Sequence, residues 1–209
     1  MISYTVCNVY ESDEGIVCEL VSSDSGEKLS LLLRISDYYD ARLSAGDVVT
    51  DEEFERLYEK SETARALIRA ERMLSYGVCS KKQLVLKLRR VGIDEKYANN
   101  AADILEERGY IDENEQAKRA AIAYCRQKHW GRRRIVADLL SKGYEKEAVM
   151  LAVNDVPREE YTKALSTVIE RKYPAPPDDR NERDRRIAAL LRLGFSMSEI
   201  TEAFLENYN

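Results

Sequence analysis

Glycine and proline are scarce in this chain, nine and four among 209 residues, which leaves little room for a turn-rich β fold. Histidine occurs once, as His129, between Lys128 and Trp130 in a basic stretch, a poor setting for a general base. The four cysteines (Cys7, Cys18, Cys79 and Cys125) are scattered without paired spacing. They suit neither a disulfide framework nor a zinc site, and read as thiols of a reducing compartment. No apolar run approaches the ~20 residues of a membrane helix. Residues 1–10 alternate polar and apolar side chains where a leader would be continuously apolar, so a cytoplasmic location is expected. A P-loop, a dinucleotide glycine fingerprint and a nucleophile elbow are missing as well. Carboxylates are plentiful, but their spacing to Lys and Arg is that of surface pairs on helices, and no two stand out as a catalytic couple. The expectation is a protein with no catalytic residue, no metal, no cofactor and no enzymatic activity.

What remains is a charged, helix-forming chain. Hydrophobic residues make up 44%, enough for a core, and charged residues 34%, which suits helices with one apolar stripe and a wide solvated face. The net charge of −5 is unevenly spread. Residues 1–62 hold five basic and fifteen acidic side chains, 63–156 nineteen and thirteen, and 157–209 nine and ten. The acidic total therefore does not argue against an anionic partner for the middle of the chain.

The first fifty residues alternate at strand period around Ile2, Tyr4 and Val6, with further strand candidates at Ile16–Val21 and Leu29–Leu33. A helical stretch around Asp37–Leu43 and a Gly46-Asp47 turn follow. Thr50 and Glu53 have the spacing of a capping box, opening a short helix to about Lys60. From Ser61 the pattern is helical and repeats. Gly92, Gly143 and Gly194 stand at a constant interval of 51 residues, each closing a helical segment. Leu88, Leu139 and Leu190 precede them by four, and Ala101, Ala152 and Ala203 follow on the same period. Ser80 with Gln83, Asp112 with Glu115 and Ser196 with Glu199 are further capping-box candidates. The expected architecture is mainly α: a small acidic α+β module (1–61), then three tandem three-helix repeats (62–109, 110–156 and 157–209) forming a curved, elongated array. Residues 174–179 read as a loop inside the last repeat.

Between Glu115 and Asp138 there is no acidic residue. Lys118, Arg119, Arg126, Lys128, Arg132, Arg133 and Arg134 fall in this window, interleaved with Tyr124, His129 and Trp130. Cations there can neutralise phosphates, and aromatic rings can stack on bases. Arg132–Arg134 also open a helix, where positive charge opposes the macrodipole, and an outside anion would relieve that. A solvated basic face, or pairing with the acidic N-terminal module, is the other reading of the same residues. Lys87, Arg89 and Arg90, on the equivalent helix of the first repeat, would lengthen the positive strip.

Three runs in this order resemble the RecX family of recombination regulators. They are Ser80-Lys-Lys-Gln-Leu84 with Lys87-Leu88-Arg-Arg-Val-Gly92, then Leu105-Glu-Glu-Arg-Gly109-Tyr110-Ile111-Asp112, then Gly131-Arg-Arg-Arg134-Ile135 with Leu139-Leu140-Ser-Lys142-Gly143. The likeness is densest over 62–156. It departs at Gly77, where such proteins usually carry Arg, and at Gln116, where they usually carry Phe. The resemblance implies a monomeric regulator of homologous recombination and DNA repair, in the setting of the SOS response. Such a protein lies on the RecA–DNA filament and modulates, in the inhibitory direction, its ATPase, growth and strand exchange. Single- or double-stranded DNA is a further possible contact, and no membrane is involved. A stand-alone DNA-binding protein of helix-turn-helix-like repeats is the competing reading.

Overall fold

The computed structural model describes residues 2–208; Met1 and Asn209, counted above with the first module and the last repeat, lie outside the described residues. Among them are four strands and ten helices. The strands are β1 (Ser3–Ser12), β2 (Gly15–Ser22), β3 (Lys28–Leu33) and β4 (Val48–Thr50), with helix α1 (Ile35–Ala41) between the last two. They form one antiparallel sheet of order β3-β2-β1-β4. The α-helical remainder is α2 (Asp51–Ser75), α3 (Lys81–Arg90), α4 (Glu95–Glu107), α5 (Glu113–Lys128), α6 (Arg132–Ser141), α7 (Lys146–Asp155), α8 (Arg158–Lys172), α9 (Arg180–Arg192) and α10 (Met197–Tyr208). The chain divides into two compact units, one holding residues up to 78 with 84–111, the other holding 79–83 with the chain from 112 onward.

In the first unit, strand alternation buries one face of the sheet. Val6, Cys18, Leu20, Leu31 and Leu33 meet Leu43, Val49, Phe54 and Leu57 in its core. The Thr50 capping box is complete: Glu53 N–H donates to Thr50 Oγ1 (3.3 Å) and Thr50 N–H to the Glu53 carboxylate (2.9 Å). The helix it opens does not stop near Lys60, as expected above, but runs unbroken to Ser75. No glycine or proline lies within it to break the ladder. Ser61 instead faces the sheet and accepts the Leu32 N–H at 2.9 Å, while Ala64, Leu67 and Ala70 continue the buried stripe.

The 51-residue period has a local cause. After α3, α6 and α9 the chain makes the same two hydrogen bonds. Ile93 N–H donates to Leu88 O (3.1 Å) and Gly92 N–H to Arg89 O (3.0 Å). Tyr144 and Gly143 donate likewise to Leu139 (3.3 Å) and Leu140 (2.9 Å), and Phe195 and Gly194 to Leu190 (3.3 Å) and Leu191 (2.9 Å). This is the paired bonding of a Schellman turn, which needs a left-handed residue just past the helix and an apolar residue on either side of it. The glycines supply the first, at φ +90°, +78° and +94°. The fully buried leucines, with Ile93, Tyr144 and Phe195, supply the second.

The second unit closes around α5–α10, with Ile135, Leu139, Val149, Leu165, Leu190 and Phe195 at its centre. Arg186, almost buried, ties its C-terminal part together by donating to Glu182, to Ala175 O (2.6 Å) and to the Tyr208 hydroxyl (3.2 Å). Near the start of the unit, Glu113 accepts the Lys81 N–H (2.8 Å) and the Glu145 N–H (2.9 Å) on its two carboxylate oxygens. One anion thus satisfies two helix N-termini, where backbone donors have no intrahelical partner. Glu113→Ala should lower the stability of this unit by about 2 kcal/mol, read as an earlier thermal transition in the fluorescence of Trp130, the only tryptophan. An unmoved midpoint would show that water replaces the carboxylate at no cost.

Candidate functional site

The basic window separates into two groups once folded. Lys118 pairs with Asp155 at 3.0 Å, Arg119 with Glu115 at 2.8 Å, and Arg126 with Glu160 through two bonds of 3.1 and 2.7 Å. The Arg126 contact holds the Glu160 carboxyl below its ordinary range. These three cations already have intramolecular anions. Among the described residues, Lys128, Arg132, Arg133 and Arg134 make no ion pair.

Aromatic rings position that second group. Helix α5 ends on His129 in the left-handed conformation (φ 52°), which a histidine tolerates better than most residues. His129 is half-buried, not the exposed side chain its basic neighbours suggest. The reversal brings Trp130 back onto Tyr124, ring centroids 5.0 Å apart. The Lys128 ammonium lies 4.2 Å from the Tyr124 centroid and 4.4 Å from that of Trp130. The Arg134 guanidinium lies 4.2 Å from the Trp130 centroid. Lys142, which sequence reasoning passed over, donates to the Tyr124 hydroxyl and pairs with Asp138 at 2.9 Å. Each cation–π contact contributes about 0.5–1 kcal/mol at partly exposed sites. The two rings therefore face the protein's own cations and hold that charge in place. Arg132 bonds to Asn154 and lies 5.1 Å from the Tyr161 ring, and Arg133 projects into solvent.

The N-terminus of the helix carrying the arginines is held by backbone bonds, with no capping side chain. Gly131 N–H donates to Leu193 O (2.7 Å) and Arg133 N–H to Gly194 O (3.1 Å), so the N-terminus of α6 abuts the C-terminus of α9. A Cβ on Gly131 would lie 2.4 Å from the Gly194 carbonyl carbon, and a Cβ on Gly194 2.4 Å from the Arg134 nitrogen. The same junction occurs 51 residues earlier, inside the same unit. Ser80 Oγ donates to Lys142 O (2.7 Å), and Gly143 packs on Ser80 and Lys82. This arrangement corrects the macrodipole argument. The partial negative charge at the end of α9 faces the start of α6, so Arg132–Arg134 do not need an external anion to offset their own helix. What sets these arginines apart is that none has a carboxylate partner among the described residues.

Lys87, Arg89 and Arg90 lie on α3 in the first unit, where Arg89 pairs with Glu95 at 3.2 Å. Gln116 is half-buried, and its Oε1 accepts no hydrogen bond among the described residues. Burial pushes the Cys125 thiol up to about 11, which keeps it protonated and inert at neutral pH. Among the described residues no cluster of His, Cys, Asp and Glu could hold a metal ion, and no helix is long and apolar enough to cross a membrane.

A family model for the third three-helix domain of RecX proteins matches residues 159–204. The regulatory protein RecX of Caldanaerobacter subterraneus subsp. tengcongensis is 28% identical over 131 residues, 62% of this chain and 66% of the relative. That of Herbaspirillum seropedicae is 33% identical over 84 residues, 40% of this chain and 54% of the relative. The matched stretches cover less than two thirds of either relative's length. A crystal structure titled regulatory protein RecX shares the fold with a TM-score of 0.75 at 18% identity, covering 94% of this chain and 96% of that one. RecX from Lactobacillus salivarius gives 0.62 at 21% identity, over 69% of this chain and 96% of that one. The family model falls on the helices where the sequence motifs are thinnest, and the two relatives and the shared fold point the same way: the chain is similar to RecX proteins in its third helical triplet, in the matched stretches and in fold.

Proposed function

We propose that this protein is a cytoplasmic, non-enzymatic regulator of homologous recombination that binds a RecA–DNA filament and restrains its ATPase, growth and strand exchange. The observation that carries the reading is the group Lys128, Arg132, Arg133 and Arg134. These four cations have no carboxylate partners among the described residues; Lys128 and Arg134 lie against Tyr124 and Trp130, Arg132 against Tyr161, the backbone clasp fixes the helix start that carries the arginines, and the chain is similar to RecX proteins. Cations fixed in place and unneutralised pay less entropy on meeting an anionic surface than loose ones. The filament offers that surface as DNA phosphate or as acidic protein, and repeated weak contacts along a polymer add through effective concentration. The three-helix triplets from 62 onward are, on this reading, the units that make those contacts, with the protein acting as a monomer.

The test adds the purified protein to its cognate recombinase on single-stranded DNA and follows ATP hydrolysis, strand exchange and co-sedimentation. The expected result is co-sedimentation at near-stoichiometric protein, with hydrolysis and exchange reduced several-fold. No co-sedimentation and no change in either rate would overturn the proposal. Tight, sequence-selective binding to naked duplex without recombinase would establish the stand-alone DNA-binding reading in its place.

A further inference from the structure

The first unit contains a cleft of about 590 Å³ between the sheet and α2 that plays no part in the reading above. Its floor is apolar, made by Val17, Leu32, Ile68 and Ile93. Along its rim α2 presents Arg65, Arg69 and Arg72, spaced four and three residues apart and so on one face of the helix. Arg65 donates to Ser30 O at 2.9 Å and stands 3.7 Å from Glu62; Arg72 stands 3.7 Å from Glu14. Both ion pairs are longer than a charge-assisted hydrogen bond of roughly 2.8 Å. Arg69 is exposed and makes no ion pair among the described residues. Three guanidinium groups thus line a trough with an apolar floor and polar walls, one without an ion pair among the described residues and two loosely held by carboxylates at the edge.

We infer that this cleft binds a short acidic peptide segment of a partner protein, with an aliphatic side chain on the floor and carboxylates on Arg65, Arg69 and Arg72. Charge complementarity and spacing carry the choice. The arginine row spans seven helical residues, about 10 Å, and an extended peptide covers that distance in about three residues. Carboxylates two and three positions apart would therefore meet successive guanidiniums and displace Glu14 and Glu62 from the loose pairs. A nucleic-acid strand fits less well. It would continue past the cleft into a module whose first 62 residues carry fifteen acidic and five basic side chains. A peptide presents only two or three charges and also gains from the apolar floor.

The experiment uses the full chain and a fluorescein-labelled probe, Glu-Leu-Glu-Glu between Gly-Ser flanks, followed by anisotropy at low salt. The controls are the same probe with Lys for Glu, and an oligothymidylate of equal charge. Saturable binding of the acidic probe alone, weakened at least tenfold by Arg69→Glu and unchanged when Arg132, Arg133 and Arg134 are replaced by Ala, is the expected result. Arg69 has no ion pair to lose among the described residues, so the variant should melt as the parent does, and circular dichroism checks this. Absence of saturable binding, equal binding of the Lys probe, or indifference to Arg69→Glu overturns the inference. Binding of oligothymidylate that is lost in Arg69→Glu overturns it in favour of nucleic acid. Failure of the filament proposal leaves each of these outcomes readable.

Discussion

Gly131→Ala should destabilise the second unit by more than about 3 kcal/mol, in the range reserved for overpacking that cannot relax. Its φ of −77° is open to any residue, so the whole penalty comes from a Cβ placed 2.4–2.5 Å from the backbone of Gly194 and Phe195. Those atoms belong to the turn ending α9, and they move only if Gly131 N–H and Arg133 N–H give up their carbonyl acceptors. Gly194→Ala meets the same wall from the other side and adds the cost of a left-handed alanine, about 1–2 kcal/mol. Gly143→Ala keeps that backbone cost and meets Lys82 Cβ at 3.1 Å and Ser80 Oγ at 3.2 Å, contacts that a shift of a few tenths of an ångström relieves, so the expected loss is about 2 kcal/mol. Gly92→Ala faces open space and should cost only about 1 kcal/mol. Trp130 lies beside the clasp and reports the second unit. Its fluorescence midpoint should fall steeply for Gly131→Ala and Gly194→Ala, modestly for Gly143→Ala, and stay put for Gly92→Ala, which belongs to the other unit. Equal shifts for all four variants would reduce the clasp to ordinary glycine entropy.

That series also shows what could be read before folding. The 51-residue period was legible because each Schellman turn requires Leu, Gly and an apolar residue at fixed offsets, and no tertiary partner is needed to impose them. Capping boxes at Thr50 and Ser196 are equally local, and both close with reciprocal bonds. Strand β4 was not legible: three residues show no alternation, and Val48–Thr50 become a strand only because Ser3–Thr5 lie alongside. The separate roles of the basic side chains were hidden for a related reason. Arg126 finds Glu160 and Lys118 finds Asp155 across 34 and 37 positions, beyond any rule of helical spacing. One sign of the clasp was available. Glycine opens α6 where the equivalent position in the preceding triplet is Ser80, and a helix start without a capping side chain implies that something else satisfies its donors.

The distinction between tied and untied cations yields the second large effect. Replacing Arg132, Arg133 and Arg134 together by Ala should weaken binding to the recombinase–DNA filament about 100-fold at ~0.1 M salt if each meets one phosphate. Each phosphate contact on a single strand contributes roughly 0.7 to the slope of log affinity against log salt, and so about fivefold in affinity at ~0.1 M. The slope itself should flatten by about 2 in the triple variant. Helicity is expected to survive, since alanine is the better helix former and the clasp uses only backbone atoms. Lys118, Arg119 and Arg126 provide the matched control. Replacing them by Ala removes the same formal charge, but from groups already neutralised by Asp155, Glu115 and Glu160, and the expected change is no more than about threefold. Trp130→Leu removes no charge. By releasing Lys128 and Arg134 from their ring it should nevertheless cost severalfold in affinity, with little change in salt slope. Co-sedimentation across a salt series measures all three. If the two triple variants behaved alike, net charge alone would govern binding, and the rings beneath Lys128 and Arg134 would be packing and nothing more.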